Sequence, residues 1–128
     1  MHTDKDMELT ALTEKIIGCA YTVSNTLGAG FLEKVYENAL AIELRNNHIN
    51  YQQQFPINVT YNGAVVGEYI SDLIVESKII VELKASKTID DSHVAQCLNY
   101  LKATNMRLGL IINFGKPKVE IKRVILGF

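Results

Sequence analysis

Asp72 and the run Glu82-Leu83-Lys84 place two acids and one ammonium in neighbouring segments that read as strands. Side chains alternate faces along a strand, so Glu82 and Lys84 point one way and Leu83 the other. A carboxylate pair beside an ammonium suits metal-assisted hydrolysis of a phosphodiester. Hard oxygens hold a divalent cation, and the ammonium orients or helps deprotonate water and offsets charge growing on the phosphate.

The face on which Asp72 falls depends on the turn between the strands. If Glu76, Ser77 and Lys78 form the loop, Val75 pairs with Ile79 and Asp72 stands opposite Glu82. A two-residue loop pairs Asp72 with Leu83 instead and turns the acid away. With the odd loop, Ile70, Asp72 and Ile74 share a face with Ile80, Glu82 and Lys84. Two carboxylates about 5 Å apart on a partly apolar face repel when both are ionised. Mg²⁺, or Mn²⁺ in its place, held by Asp72, Glu82, a backbone carbonyl and water, relieves that repulsion better than zinc. The competing account, an exposed cross-strand salt bridge from Asp72 to Lys84, stays open on spacing alone.

Further along, His93, Gln96 and Tyr100 fall on one stripe of a helix. Gln96 and Tyr100 are placed to hold a phosphate, a water or a site carboxylate, or else form a polar helix edge. His93 has no second His or Cys at ligand spacing and reads as a capping or solvated residue. Glu33 lies in the first turn of another helix, where a carboxylate is favourable against the helix dipole, and Tyr36 shares its face.

The elements that must position these residues follow from periodicity. Residues from about Leu9 to Leu27 form a helix with Ile16, Ala20, Val23 and Leu27 recurring, ended by Gly28-Ala29-Gly30. A second helix runs from about Phe31 to Asn46, with Leu32, Val35, Ala39, Ile42 and Leu44 as apolar positions. Strands follow over Gln54 to Tyr61, Val65 to Val75 and Ile79 to Leu83, the first two joined by the hairpin signal Asn62-Gly63. Asp90 or Asp91 caps a third helix through about Ala103, with Val94, Leu98 and Leu101 facing inward. Leu108 to Phe114 suits a strand buried on both faces, and Val119 to Leu126 a last strand. The order ααβββαββ implies an α/β (α+β mixed) fold, a mixed central sheet flanked by helices.

At 128 residues, with 48% apolar and 21% charged, the chain is expected to be a single domain, residues 1–128 with a core over about 9–126. The net charge of −1 argues against coating nucleic acid by bulk attraction. Residues 1–77 carry four Lys/Arg against ten Asp/Glu, and residues 78–128 nine against four. Lys84, Lys87, Lys102, Arg107, Lys116, Lys118, Lys122 and Arg123 could gather into a basic surface or stay scattered. Cys19 and Cys97 read as buried free thiols. No apolar run approaches the ~18 residues that span a bilayer, and Met1-His2-Thr3-Asp4-Lys5-Asp6 does not read as a signal peptide, so a cytoplasmic protein without membrane contact is expected.

Gly30-Phe31-Leu32-Glu33-Lys34-Val35-Tyr36 resembles the motif that names the GxxExxY proteins, within the PD-(D/E)XK nuclease superfamily. The similarity runs from about Leu12 to Ile125. It takes in the Asn62-Gly63 hairpin, Tyr69 to Val75, Ile80 to Ala85, His93 to Thr104 and Leu108 to Gly115. The resemblance implies a restriction-endonuclease-like core and a Mg²⁺-dependent nuclease acting on DNA ahead of RNA. It makes Asp72, Glu82 and Lys84 the acidic and lysine signature, and Glu33 the helix carboxylate that completes the metal site. The Leu83 backbone carbonyl becomes a further ligand. Gln96 and Tyr100 match a Q-x-x-x-Y pattern that approaches substrate or metal. Ser71 stands where the superfamily's name has proline. Expected catalytic residues are thus Lys84, Glu82, Asp72 and Gln96; expected substrate contacts are Tyr100, Gln96, Tyr36 and Lys87. A catalytically inactive nucleic-acid-binding or assembly module on the same fold is the alternative, and a homodimer or partner protein is the third reading.

Overall fold

The structure, a computed structural model, describes residues 4–127; Met1–Thr3, part of the segment read as no signal peptide, lie outside the described residues. Eight elements follow in the anticipated order: α1 (Asp4–Leu27), α2 (Glu33–Asn46), β1 (Tyr51–Tyr61), β2 (Ala64–Val75), β3 (Ile79–Lys84), α3 (Asp91–Thr104), β4 (Leu108–Asn113) and β5 (Glu120–Ile125). The five strands form one sheet in chain order. Only β3 and β4 run parallel, as a crossover through α3 requires; the other three pairs are antiparallel.

The two faces of the sheet bury separate clusters. On one side α1 and α2 lay Ile16, Ala20, Val23, Tyr36, Leu40 and Leu44 against Leu73, Val75, Val81, Leu83, Leu110 and Ile112. On the other, Cys97, Tyr100 and Leu101 of α3 cover Ile57, Ile80, Ile111 and Val124. All six β4 residues are buried, because helices cover both faces. Both cysteines are free and buried as expected, and burial pushes the Cys97 thiol up to about 12.

Some boundaries and faces differ from expectation. β1 begins at Tyr51 because Tyr51, Gln52 and Gln53 already pair with Val75, Ile74 and Leu73. On α2 the buried stripe is Tyr36, Glu37, Leu40, Ala41 and Leu44, while Leu32, Val35 and Ile42 are exposed. Tyr36 leads that stripe for a geometric reason. Its ring stacks on Phe114 at 4.7 Å, and its hydroxyl donates to the Gly28 carbonyl at 2.6 Å and accepts from the Phe31 N–H at 3.1 Å. The α1–α2 turn, with Gly28 and Gly30 at positive φ, is thereby stitched to the helix it precedes.

α3 starts with a reciprocal cap: Asp90 Oδ1 accepts the His93 N–H, and His93 Nδ1 accepts the Asp90 N–H. Its approach to the sheet is close. A Cβ on Gly109 of β4 would stand 2.5 Å from the Cys97 sulfur. Two strands therefore carry the acids and the lysine, and α3 lies directly over them.

Candidate active site

The loop of Glu76, Ser77 and Lys78 is the odd one: Val75 pairs with Ile79 and Leu73 with Val81. Regular β2–β3 pairing stops there, one step short of Asp72 and Glu82. From that point the acids replace the ladder. The Asp72 N–H donates to Glu82 Oε2 at 2.8 Å, and the Leu83 N–H donates to Asp72 Oδ2 at 2.8 Å. Each strand is thus held by the other's carboxylate. Ser71, buried, sets its hydroxyl 3.3 Å from the same Glu82 oxygen. Asp72 Oδ1 and Glu82 Oε1 take no hydrogen bond among the described residues.

The electrostatics follow from this burial. Glu82, 5% exposed, is pushed up to about 7 by desolvation and by the Asp72 charge. Asp72 is raised as well, first by desolvation and then by Glu37 and Glu33, whose charges reach it from α2. Lys84 opposes both shifts. No ion pair joins Asp72 to Lys84, so the exposed salt bridge is not formed. Asp72 Oδ2 is turned instead to a backbone N–H.

Lys84 lies on the α3 side, its Nζ 3.5 Å from Gln96 Oε1. Tyr100, buried one turn further along α3, has its phenol raised by desolvation and by the Glu82 and Asp72 charges. The structure therefore brings Asp72, Glu82, Lys84, Gln96 and Tyr100 together. Leu83 buries its side chain on the α1–α2 face and lends its N–H to Asp72. Glu33 stands exposed in the first turn of α2, felt by Asp72 but hydrogen-bonded to nothing described. Lys87 is exposed on the loop after β3. Tyr36 is a correction: it has no exposed surface and its hydroxyl is committed to the turn, so it cannot touch a substrate. Ile70 is another. It is exposed, and Tyr69 packs on the α3 side in its stead.

The cause of that change of face is a kink that the spacing did not reveal. Tyr51 and Gln53 of β1 meet the α1–α2 side, whereas Phe55 and Ile57 pack toward α3, although regular alternation would keep all four together. Between them Gln54, across from Asp72, adopts φ 55°. Such a φ is uncommon for a residue with a side chain and requires support. Glu37 provides it. Only 3% exposed, its carboxylate accepts from Gln53 Nε2 at 2.6 Å, Gln54 Nε2 at 2.9 Å and Lys34 Nζ at 3.2 Å.

Asn113 was also missed. Fully buried, it accepts from the Ser86 and Gly115 N–H groups and donates to the Ser86 carbonyl and to Glu120. It pins the loop that leaves Lys84. A lone amide inside the apolar run Leu108–Phe114 was the available signal.

A family model for the PD-(D/E)XK nuclease superfamily matches residues 10–124. The chain belongs to that superfamily. No curated protein matches it. The crystal structure of SSO0001 superposes with a TM-score of 0.59 and 17% identity, over 74% of this chain and 50% of that one. This chain thus spans half the length of SSO0001. An alkaline exonuclease (LHK-Exo) from Laribacter hongkongensis superposes at 0.54 and 10% identity, over 99% of this chain and 72% of that one. These likenesses are of fold: helices on a five-stranded mixed sheet, the restriction-endonuclease-like arrangement.

Superfamily members typically use divalent metal ions. Among the described residues no three His, Cys, Asp or Glu side chains cluster as a ready-made metal site. The pair Asp72 and Glu82 nevertheless suits a hard cation. Each has one oxygen anchored to backbone and one free, and both carboxyls are raised, Glu82 by burial and the Asp72 charge and Asp72 first by burial, which a divalent charge would reverse. Glu37 cannot join, because both of its oxygens are occupied. No helix among the described residues is long and apolar enough to cross a membrane.

Proposed function

We propose that this nuclease-like domain hydrolyses phosphodiester bonds in DNA, with RNA the less favoured substrate, using Mg²⁺ or Mn²⁺ held by Asp72 and Glu82. The reciprocal anchoring of the two carboxylates carries the reading: it fixes two acids side by side at a cost that packing alone does not repay. Glu33, whose charge reaches Asp72 from α2, and the Leu83 carbonyl would supply the further ligands. Bound there, the cation supplies Lewis-acid polarisation of the phosphate and lowers the proton affinity of water.

The chain's own groups do the rest. Lys84, steered by Gln96, offsets the negative charge growing on the phosphate oxygens and orients the attacking water, whose proton passes to bulk solvent. Tyr100 orients the substrate from α3, and Lys87 meets the strand beyond the site. The motif from Gly30 to Tyr36 supports assignment to the GxxExxY group within the superfamily, and a homodimer is the simplest way for so small a domain to reach two strands.

Incubating the protein with single-stranded, duplex and branched DNA in Mg²⁺ or Mn²⁺ tests this. Asp72→Ala and Lys84→Ala should each lower cleavage by at least a hundredfold while the fold is kept. Cleavage that survives either substitution sinks the assignment.

A further inference from the structure

The β1–β2 hairpin runs on past the core. From Asn58 to Ile70 nearly every residue is exposed, and this arm leans over α3. Between them lies a groove of about 770 Å³. Such a volume is within the range of sites that hold small organic groups.

Its lining is specific. Tyr69 rises from the arm, half exposed, and its ring meets Tyr100 at 5.8 Å and 48°, a tilted contact. Asn58, Gln96 and Asn99 present amides, and Thr60 and Ser92 present hydroxyls. Lys102 supplies a cation, and no carboxylate lines the groove. Gln96 and Tyr100 belong to the groove and to the acid cluster alike, so the two are continuous.

We propose that this groove takes an unpaired nucleobase of a single-stranded nucleic acid, adjacent to the phosphate that the acids address. An exposed tyrosine stacks on the flat face of any base, but only if that face is not already covered by a neighbour in a duplex. Amides donate and accept hydrogen bonds at the base edge, and these edges are free in a single strand. The groove lacks the row of cations that would follow two phosphate backbones, and Lys102 is enough for one. The assignment rests on the nuclease reading for its position along the strand but not for the stacking itself.

The test is binding without divalent cation, where no hydrolysis can occur. The full chain in EDTA is titrated with a short single-stranded oligonucleotide carrying 2-aminopurine, with a blunt duplex of the same sequence as comparison. Single-strand binding should be at least tenfold tighter than duplex binding and should quench the fluorescent base. Tyr69→Ala should weaken it about tenfold or more and abolish the quench, with thermal stability kept, whereas Tyr69→Phe should retain both. Equal affinity for duplex, or an unchanged quench in Tyr69→Ala, overturns the proposal. Neither result depends on cleavage, so failure here leaves the hydrolytic reading to its own assay.

Discussion

Glu82 holds its proton to about pH 7 because burial and the Asp72 charge oppose ionisation, against 4.5 for the free side chain. The folded protein therefore binds this proton more tightly than the unfolded chain. Its stabilising effect is fully present below 4.5 and disappears as pH rises toward 7. Asp72, also raised, works in the same direction. In EDTA the unfolding free energy should fall over that interval by an amount on the order of 3 kcal/mol, and the melting temperature with it. Glu82→Gln should flatten the fall and melt above the parent at pH 8. Added Mg²⁺ should restore the parent at pH 8 and do little at pH 5, since cation and proton compete for one pair. Melting curves across pH decide this, and an unchanged slope in Glu82→Gln would count against it.

Among the elements, α2 acts on the site at a distance. Glu37 holds the amides of Gln53 and Gln54, and that clamp supports the kink opposite Asp72. Glu37→Ala should cost about 3 kcal/mol, since it strips buried charge-assisted hydrogen bonds. It should also reduce cleavage, with Glu37→Gln falling between the two; denaturant melts and single-turnover rates provide the measurements. Much of this layer was legible beforehand. Alternation along β3 and the Asn62-Gly63 turn, with both residues at positive φ, were readable, but two loop lengths after β2 were open, and only the structure's three-residue loop sets Asp72 beside Glu82. Tyr36 could have been assigned to the core, because it recurs with Leu40 and Leu44 at helical spacing. The Glu37 clamp was not legible. Its partners lie 16 and 17 residues away, and local periodicity carries no information about which polar groups meet across a fold. For the same reason a strand that changes face at Gln54 looks regular when read as a string.

Across the whole molecule, the basic C-terminal half does not become one cationic surface. Arg107 pairs with Asp6 and Arg123 with Glu14, both against α1, while Lys116 pairs with Glu120. Lys84 and Lys102 lie on the opposite side, with α3. The expected basic surface is therefore divided between two faces and partly neutralised. Oligonucleotide affinity should accordingly depend weakly on salt. A plot of log K against log salt for single strands should have a slope of about −0.7 to −1.4, reflecting one or two phosphates neutralised. A slope steeper than about −5 would mean a wider footprint than the groove and the lysine beside the acids can make.

Gly109 lies beneath α3 and lines neither the acid cluster nor the groove. Yet the helix can settle onto the sheet only because nothing projects there toward Cys97. A single methyl group at that position would collide with the Cys97 sulfur, so that either this side chain or α3, with Gln96 and Tyr100 on it, has to give way. The spacing between helix and hairpin arm is thus metered from below, by an atom the chain does without.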